Sequence, residues 1–216
     1  MIFRDRADAG RRLAERLRHF DWTNAIVLAL PRGGVPVAYE VATAIDAPLD
    51  VVVVRKLGIP GHEELAMGAI ASGGVRVLNE EVLARLPHPA EQLDGVTQRE
   101  LAELQRREAE FREGRPAVEI EGRQVILVDD GLATGATMRA AALAVKHRGA
   151  ASITVAVPVG APESCDTIRS EVDELVCVHA PWDFTAVGQF YQEFAQTTDG
   201  EVRELLSRST LEVTKQ

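Results

Sequence analysis

Cysteine is scarce in this chain: Cys165 and Cys177 are the two among 216 residues. They lie in ordinary segments and make neither a disulfide framework nor a metal pattern, so a reducing cytoplasm is the default compartment. Basic charge is in deficit, with 24 Lys and Arg against 33 Asp and Glu and a net charge of −9. That balance argues against bulk nucleic acid or a membrane surface as partners, since each needs a basic field. A phosphate ligand needs only local cations and is not excluded. No apolar run approaches the ~20 residues of a membrane-spanning helix. The opening Met1-Ile2-Phe3-Arg4-Asp5-Arg6 carries charge where a signal peptide has an apolar core. No internal repeat or low-complexity tract is visible. What is abundant is apolar surface, 46% of residues, enough for a sizeable core and too much for disorder. The length fits one domain with an insertion or cap.

Short β-branched runs at 25–30, 49–54, 124–128, 152–157 and 174–178 alternate with helical stretches at 35–45, 136–148 and 162–171. Strand–helix alternation with continuous apolar strands predicts an α/β fold, a doubly wound and mostly parallel sheet covered on both faces. Ligands of such sheets sit beyond the carboxyl ends of the strands. The core is expected over about 22–78 and 120–180 of a single domain spanning 1–216. Residues 5–19 read as a leading amphipathic helix. Residues 79–113 read as a charged helical insert, either a solvated helix face or an oligomer contact. Residues 182–206 are aromatic and polar. Together the segments 1–20 and 182–216 are expected to form a small hood.

The densest signal is Val125-Ile126-Leu127-Val128-Asp129-Asp130-Gly131-Leu132-Ala133-Thr134-Gly135-Ala136-Thr137. A buried strand delivers two adjacent carboxylates to its carboxyl end. A turn of small and hydroxylated residues then opens a helix. Backbone N–H groups of Ala133 to Thr137, with the hydroxyls of Thr134 and Thr137, make an anion cradle at a helix N-terminus. Carboxylates do not bind phosphate but accept hydrogen bonds from sugar hydroxyls. Cradle and acceptors a few residues apart suit a ribose 5-phosphate. No Gly-Lys-Ser/Thr follows, so this is not a Walker loop.

Three further segments carry candidate chemistry. Leu30-Pro31-Arg32-Gly33-Gly34 follows the first strand; its glycines let backbone approach an anion, and Arg32 adds a forked donor. The same Gly-Gly also serves as an ordinary strand–helix turn. Val51-Val52-Val53-Val54-Arg55-Lys56 ends a strand in two cations, which either face a ligand or cap a sheet edge. Leu57 to Glu64 then reads as a mobile loop before a hairpin with Ser72-Gly73-Gly74 as its turn. Within it, His62 is an anion contact or simply solvated. Finally, five of the ten aromatics fall between Trp182 and Phe194, where they either hold a ligand or cover the sheet end.

The 125–137 segment resembles the 5-phosphoribosyl-1-pyrophosphate (PRPP) motif of type I phosphoribosyltransferases. The resemblance extends over roughly 22–200 and is strongest at 125–137. It implies transfer of a 5-phosphoribosyl group from PRPP to a small acceptor, a nitrogenous base or a relative of one, with release of pyrophosphate. By the same resemblance the 30–36 loop, often with a cis peptide in this family, binds pyrophosphate. Arg55 and Lys56 neutralise the leaving group, and Asp129 and Asp130 serve the ribose. Mg²⁺ is implied as the cofactor, with Asp129 and Asp130 as its nearest protein groups, often through water. In the hood, Phe184 is the leading candidate to hold the acceptor base and Trp182 the second. Glu64, Asp183 or no residue at all serves as general base. The chain departs from the 6-oxopurine branch, which has a carboxylate where Ala133 stands and a Lys where Val176 to His179 stand. The Ala-Thr-Gly form and the Arg55-Lys56 loop are closer to adenine and uracil members. The 79–113 insert fits none of these, and the whole chain is most similar to a bacterial group of the family assigned by motif. A homo-oligomer is expected. The alternative is a regulatory module that binds PRPP or a nucleotide without turnover, or an enzyme running phosphorolysis in the same pocket.

Overall fold

The computed structural model describes residues 1–87 and 89–213, without the side chains of 63–65 and 210–213. The candidate base Glu64, as a side chain, and residues 214–216 of the expected hood lie outside the described residues. In chain order the elements begin with α1 (Arg6–Leu17), β1 (Ala25–Ala29), α2 (Gly34–Ile45) and β2 (Leu49–Val51). Next come β3 (Val54–Ile59), β4 (His62–Ala71), β5 (Val75–Leu78), α3 (Glu80–Leu83) and α4 (Pro89–Arg112). The chain continues with β6 (Gln124–Val128), α5 (Ala136–His147), β7 (Ser152–Val159), α6 (Pro162–Arg169) and β8 (Glu174–His179). A 3-10 turn, Val187–Phe190, and α7 (Asp199–Val213) follow.

The five apolar runs form one parallel sheet in the order β2-β1-β6-β7-β8. Side chains alternate across it, as the twofold repeat of a strand requires. Val27, Ala29, Ile126 and Val128 pack with α1 and α2, whereas Ile26, Leu28, Val125 and Leu127 pack with α5 and α6. Both faces are therefore covered, and the sheet is doubly wound. The order reverses between β1 and β6, and that switch point opens a crevice beyond their carboxyl ends. The leading helix α1 is capped by Asp5, whose carboxylate accepts from Asp8 N at 2.7 Å. It buries Ala9, Gly10, Leu13, Ala14 and Leu17 along one stripe.

The valine run at 49–54 departs from expectation. It serves two sheets instead of ending one strand. β2 stops at Val51, Val52 and Val53 cross over buried, and β3 opens an antiparallel sheet β3-β4-β5. Ser72 fixes the crossing: its hydroxyl accepts from Val53 N at 2.8 Å, and its own N–H donates to Val53 O at 2.9 Å. A run of equivalent β-branched residues has no period to mark the change. The expected mobile loop is likewise a tight hairpin, with Ile59 opposite His62 and Pro60-Gly61 at the turn; Gly61 takes φ +79°. Ser72-Gly73-Gly74 is the second turn, as predicted.

The helix α4 lays Leu93, Val96, Leu104 and Phe111 against Leu57, Ile59, Met67 and Ile70 of this small sheet. Its outer face carries Glu103–Arg106, Glu103–Arg107 and Arg106–Glu110 pairs. A buried pair pins its end to the main sheet. Arg112 Nε donates to both Asp50 oxygens at 2.9 and 3.1 Å, and Arg112 Nη2 to Val51 O at 3.1 Å. Asp50 also accepts from Val51 N and Val118 N. A third cluster, around Phe3, Ala9, Val159, Phe190 and Tyr191, sits over the carboxyl end of the main sheet. There Phe3 N–H donates to Phe190 O, and Gln192 N–H to Phe3 O.

Candidate functional site

The site lies at the switch point. Paired strands put the two anion-binding candidates side by side: Ala29 stands opposite Val128, and Leu30 N–H donates to Val128 O at 2.9 Å. After β1 the chain turns through Pro31-Arg32-Gly33 into α2, and the Pro31–Arg32 peptide is cis. Both glycines are required by close approach to the acid pair. A Cβ on Gly33 would lie 2.1 Å from Asp130 Oδ2, and one on Gly34 2.9 Å from the Asp129 Cα. In sequence they make room for an anion; the structure shows them making room for the carboxylates.

Asp129 and Asp130 are half-buried at the end of β6. Loss of water, and then repulsion from Asp130, pushes the Asp129 carboxyl well above the usual carboxylate range. Burial also raises Asp130, against the attraction of Arg6. Asp129 Oδ1 accepts from Asp130 N at 2.8 Å. Arg6, the first residue of α1, closes on the second acid: Nε donates to Asp130 Oδ2 at 2.8 Å, and Nη2 lies 2.8 Å from the same oxygen. The Tyr191 hydroxyl donates to the Asp130 carbonyl at 2.6 Å. Burial, together with the negative Asp130, raises the Tyr191 hydroxyl pKa and keeps it a donor.

The turn beyond the acids is held from below and open above. Leu132 N–H donates to Val159 O, Ala161 N–H to Leu132 O, and the Ser164 hydroxyl to Ala133 O. Gly135, at φ +74°, caps α5. Ala133, Thr134, Ala136 and Thr137 are exposed and Gly135 is buried. The first N–H groups of α5 have no partner within the helix and point outward with the positive end of its dipole. The exposed Thr134 and Thr137 thus stand at the N-terminal end of α5.

The candidate cations are split up. Neighbours on a strand face opposite ways. Arg55 turns to α4 and pairs with Glu100, Nε at 2.8 Å and Nη2 at 2.7 Å. Lys56 is exposed and makes no ion pair among the described residues; it lines a cavity of about 470 Å³ with Ala136, Thr137 and Asn79. Arg32 reaches Asp199, at the start of α7, at 3.6 Å. His62 sits at the hairpin tip, exposed. In the hood, Phe184 stacks on Phe190 with centroids 5.7 Å apart, whereas Trp182 is 95% exposed. Asp183 is exposed and uses its carbonyl to accept from Gln189.

Sequence reading missed Arg6 and Tyr191. Arg6 had a legible signal, being a charge in phase with Ala9, Gly10, Leu13 and Leu17 on the apolar stripe of α1. Its partner, 124 residues away, had none. Tyr191 was visible only as one member of an aromatic cluster.

A family profile described as the phosphoribosyl transferase domain matches residues 3–193. Two Mycobacterium tuberculosis proteins, from strains CDC 1551 / Oshkosh and ATCC 25618 / H37Rv, are each 49% identical over 208 residues and carry provisional phosphoribosyl transferase names. The alignments cover 96% of this chain and 47% of each relative, so the chain spans about half the length of the curated relatives it matches. The crystal structure of TT1426 from Thermus thermophilus matches with a TM-score of 0.86 at 42% identity, covering 96% of this chain and 99% of that one. No helix among the described residues is long and apolar enough to cross a membrane.

Proposed function

The chain belongs to the phosphoribosyl transferase family, and from that premise we propose that it moves a 5-phosphoribosyl group from PRPP to a nitrogenous base or related acceptor. The observation that carries this reading is the β1–β6 pairing, which joins an anion cradle, an acid pair and a second backbone loop in one crevice. The N–H groups of Ala133 to Thr137 and the hydroxyls of Thr134 and Thr137 take the 5-phosphate. Asp129 and Asp130 accept from the ribose hydroxyls. The Arg32-Gly33-Gly34 loop and Lys56 take the pyrophosphate, with Arg55 behind Lys56 and held by Glu100. Phe184 and Trp182 flank the acceptor.

In this reaction the bond from C1 to the pyrophosphate oxygen breaks, that oxygen keeps the electron pair, and an acceptor nitrogen bonds to C1. The acceptor proton passes to water or to a base. The protein contributes position and charge. Among the described residues no three His, Cys, Asp or Glu side chains converge. Asp129 and Asp130 offer carboxylate oxygens, the donor type a hard cation takes beside substrate oxygens and water. Asp129, which has no ion pair among the described residues, is the protein group that would face Mg²⁺. Bound there, Mg²⁺ supplies neutralisation of the pyrophosphate charge.

The test is pyrophosphate release from PRPP with Mg²⁺ and a panel of purines, pyrimidines and simple amines. Acceptor-dependent release above the water background is expected, with loss in Lys56→Ala. Saturable PRPP binding with no release across the panel would instead favour the non-catalytic regulatory module.

A further inference from the structure

We infer that Arg6 is a positioning residue for the pentose: it holds Asp130 so that a single carboxylate oxygen, Oδ1, is offered to a sugar hydroxyl. This rests on the phosphoribosyl reading above. Asp130 Oδ2 is occupied from two sides, by Arg6 Nε and Nη2 at 2.8 Å and by the backbone of Gly33, where a Cβ would come within 2.1 Å. Among the described residues Arg6 is the side chain that donates to this carboxylate, at Oδ2, and the Asp130 N–H is the backbone group beside it. The remaining nitrogen, Nη1, donates to Ala195 O at 2.6 Å, and the guanidinium lies 4.0 Å from the Phe194 ring centroid. Every nitrogen of the fork is thus engaged, and turning the carboxylate would break its bonds to an arginine that the hood holds in place. Tyr191 fixes the same residue through its carbonyl.

All three guanidinium nitrogens of Arg6 are engaged by Asp130 and Ala195, so the proposed effect passes through Asp130. Buried pairs of this kind are weak evidence for stability and are kept where they fix one arrangement. A lysine lacks the fork and would hold one oxygen loosely.

Calorimetry with inorganic phosphate and, separately, ribose 5-phosphate tests this. Phosphate probes the anion contacts without the sugar, and ribose 5-phosphate adds the hydroxyls. Arg6→Gln should weaken ribose 5-phosphate roughly tenfold or more while inorganic phosphate changes less than about twofold. Arg6→Lys should fall between. In an Asp130→Asn background, Arg6→Gln should cost nothing further, because its effect passes through that carboxylate. The double variant removes both charges of the Arg6–Asp130 pair and stays measurable if Arg6→Gln alone fails to fold. Unchanged ribose 5-phosphate affinity, equal loss of both ligands, or full additivity with Asp130→Asn would each overturn the inference. A wild-type protein that binds phosphate but not ribose 5-phosphate would overturn the phosphoribosyl reading itself, and this inference with it.

Discussion

Two buried arginine–aspartate pairs tie helices outside the main sheet to its strands, and they are built differently. In β2, Asp50 is saturated: both oxygens accept from Arg112, and the N–H groups of Val51 and Val118 take what remains. At the end of β6, Asp130 has one oxygen filled by Arg6 and the other open. The Asp50 side chain is 7% exposed and that of Asp130 is 15% exposed. A carboxylate that joins parts of the fold spends all its lone pairs on the protein. On the proposed reading, Asp130 is oriented by the protein and left incomplete for a ligand.

The largest expected effect separates the two pairs. Arg112→Met strands Asp50 as an uncompensated buried charge and should destabilise the fold by about 3–5 kcal/mol. Urea unfolding measures the loss, and ribose 5-phosphate affinity under folding conditions should not move. If affinity falls as well, the distinction between a saturated and an open pair does not hold.

The next effect concerns the other unfinished charge, Lys56. An interaction that strengthens as pyrophosphate leaves lowers the barrier more than it tightens binding. Lys56→Ala should cut turnover roughly hundredfold, about 2.7 kcal/mol, with a much smaller change in PRPP affinity. Equal changes in both would make Lys56 an ordinary binding contact.

A smaller effect is expected at the cradle. Thr134→Val or Thr137→Val removes one exposed hydroxyl and should weaken PRPP by about 1.5–3 kcal/mol, roughly tenfold or more, with little change in melting midpoint. Unchanged calorimetric affinity in both variants would remove the turn from the phosphate site.

The smallest effect is electrostatic. The folded Asp129 pKa is raised by burial and by Asp130, so the folded state holds its proton more tightly than the unfolded chain does. The resulting stability is complete below the unfolded pKa and is lost as pH rises through the folded one. Asp129→Asn should therefore raise the apo melting midpoint at neutral pH, and the gain should shrink as pH falls toward the ordinary carboxylate range. A lower midpoint at neutral pH would mean that the ionised Asp129 has a stabilising partner.

The main sheet was legible because its strands are short apolar runs separated by helices of the right period; observed and predicted bounds agree closely for β1, β6 and α5. The small sheet was half legible. Ser72-Gly73-Gly74 announced its turn, but the Val51 to Val54 run concealed the change of sheet. Arg55 and Lys56 looked like one cationic patch in sequence, and strand geometry sent them to opposite faces. For the acid pair, the place at the carboxyl end of a buried strand was readable from the Val125 to Asp130 run. No cation stands near Asp130 in sequence; Arg6, 124 residues away, is brought to it by tertiary packing alone. α7 was not anticipated; its Asp199–Val213 span lies in and beyond a stretch read only as cap.

The contacts of Arg6 also set an order of events during synthesis. At roughly 5–20 residues per second, its side chain emerges on the order of ten seconds before Asp130, and later still comes Ala195, 189 residues downstream. Phe3, fully buried in the finished protein, has the same wait for Phe190 and Tyr191. Until Asp130 appears Arg6 lacks its aspartate, and until Phe190 and Tyr191 appear Phe3 lacks its cover. A nascent chain stopped short of residue 190 would hold a nearly complete sheet and an exposed apolar end, which is the form most open to proteases and chaperones.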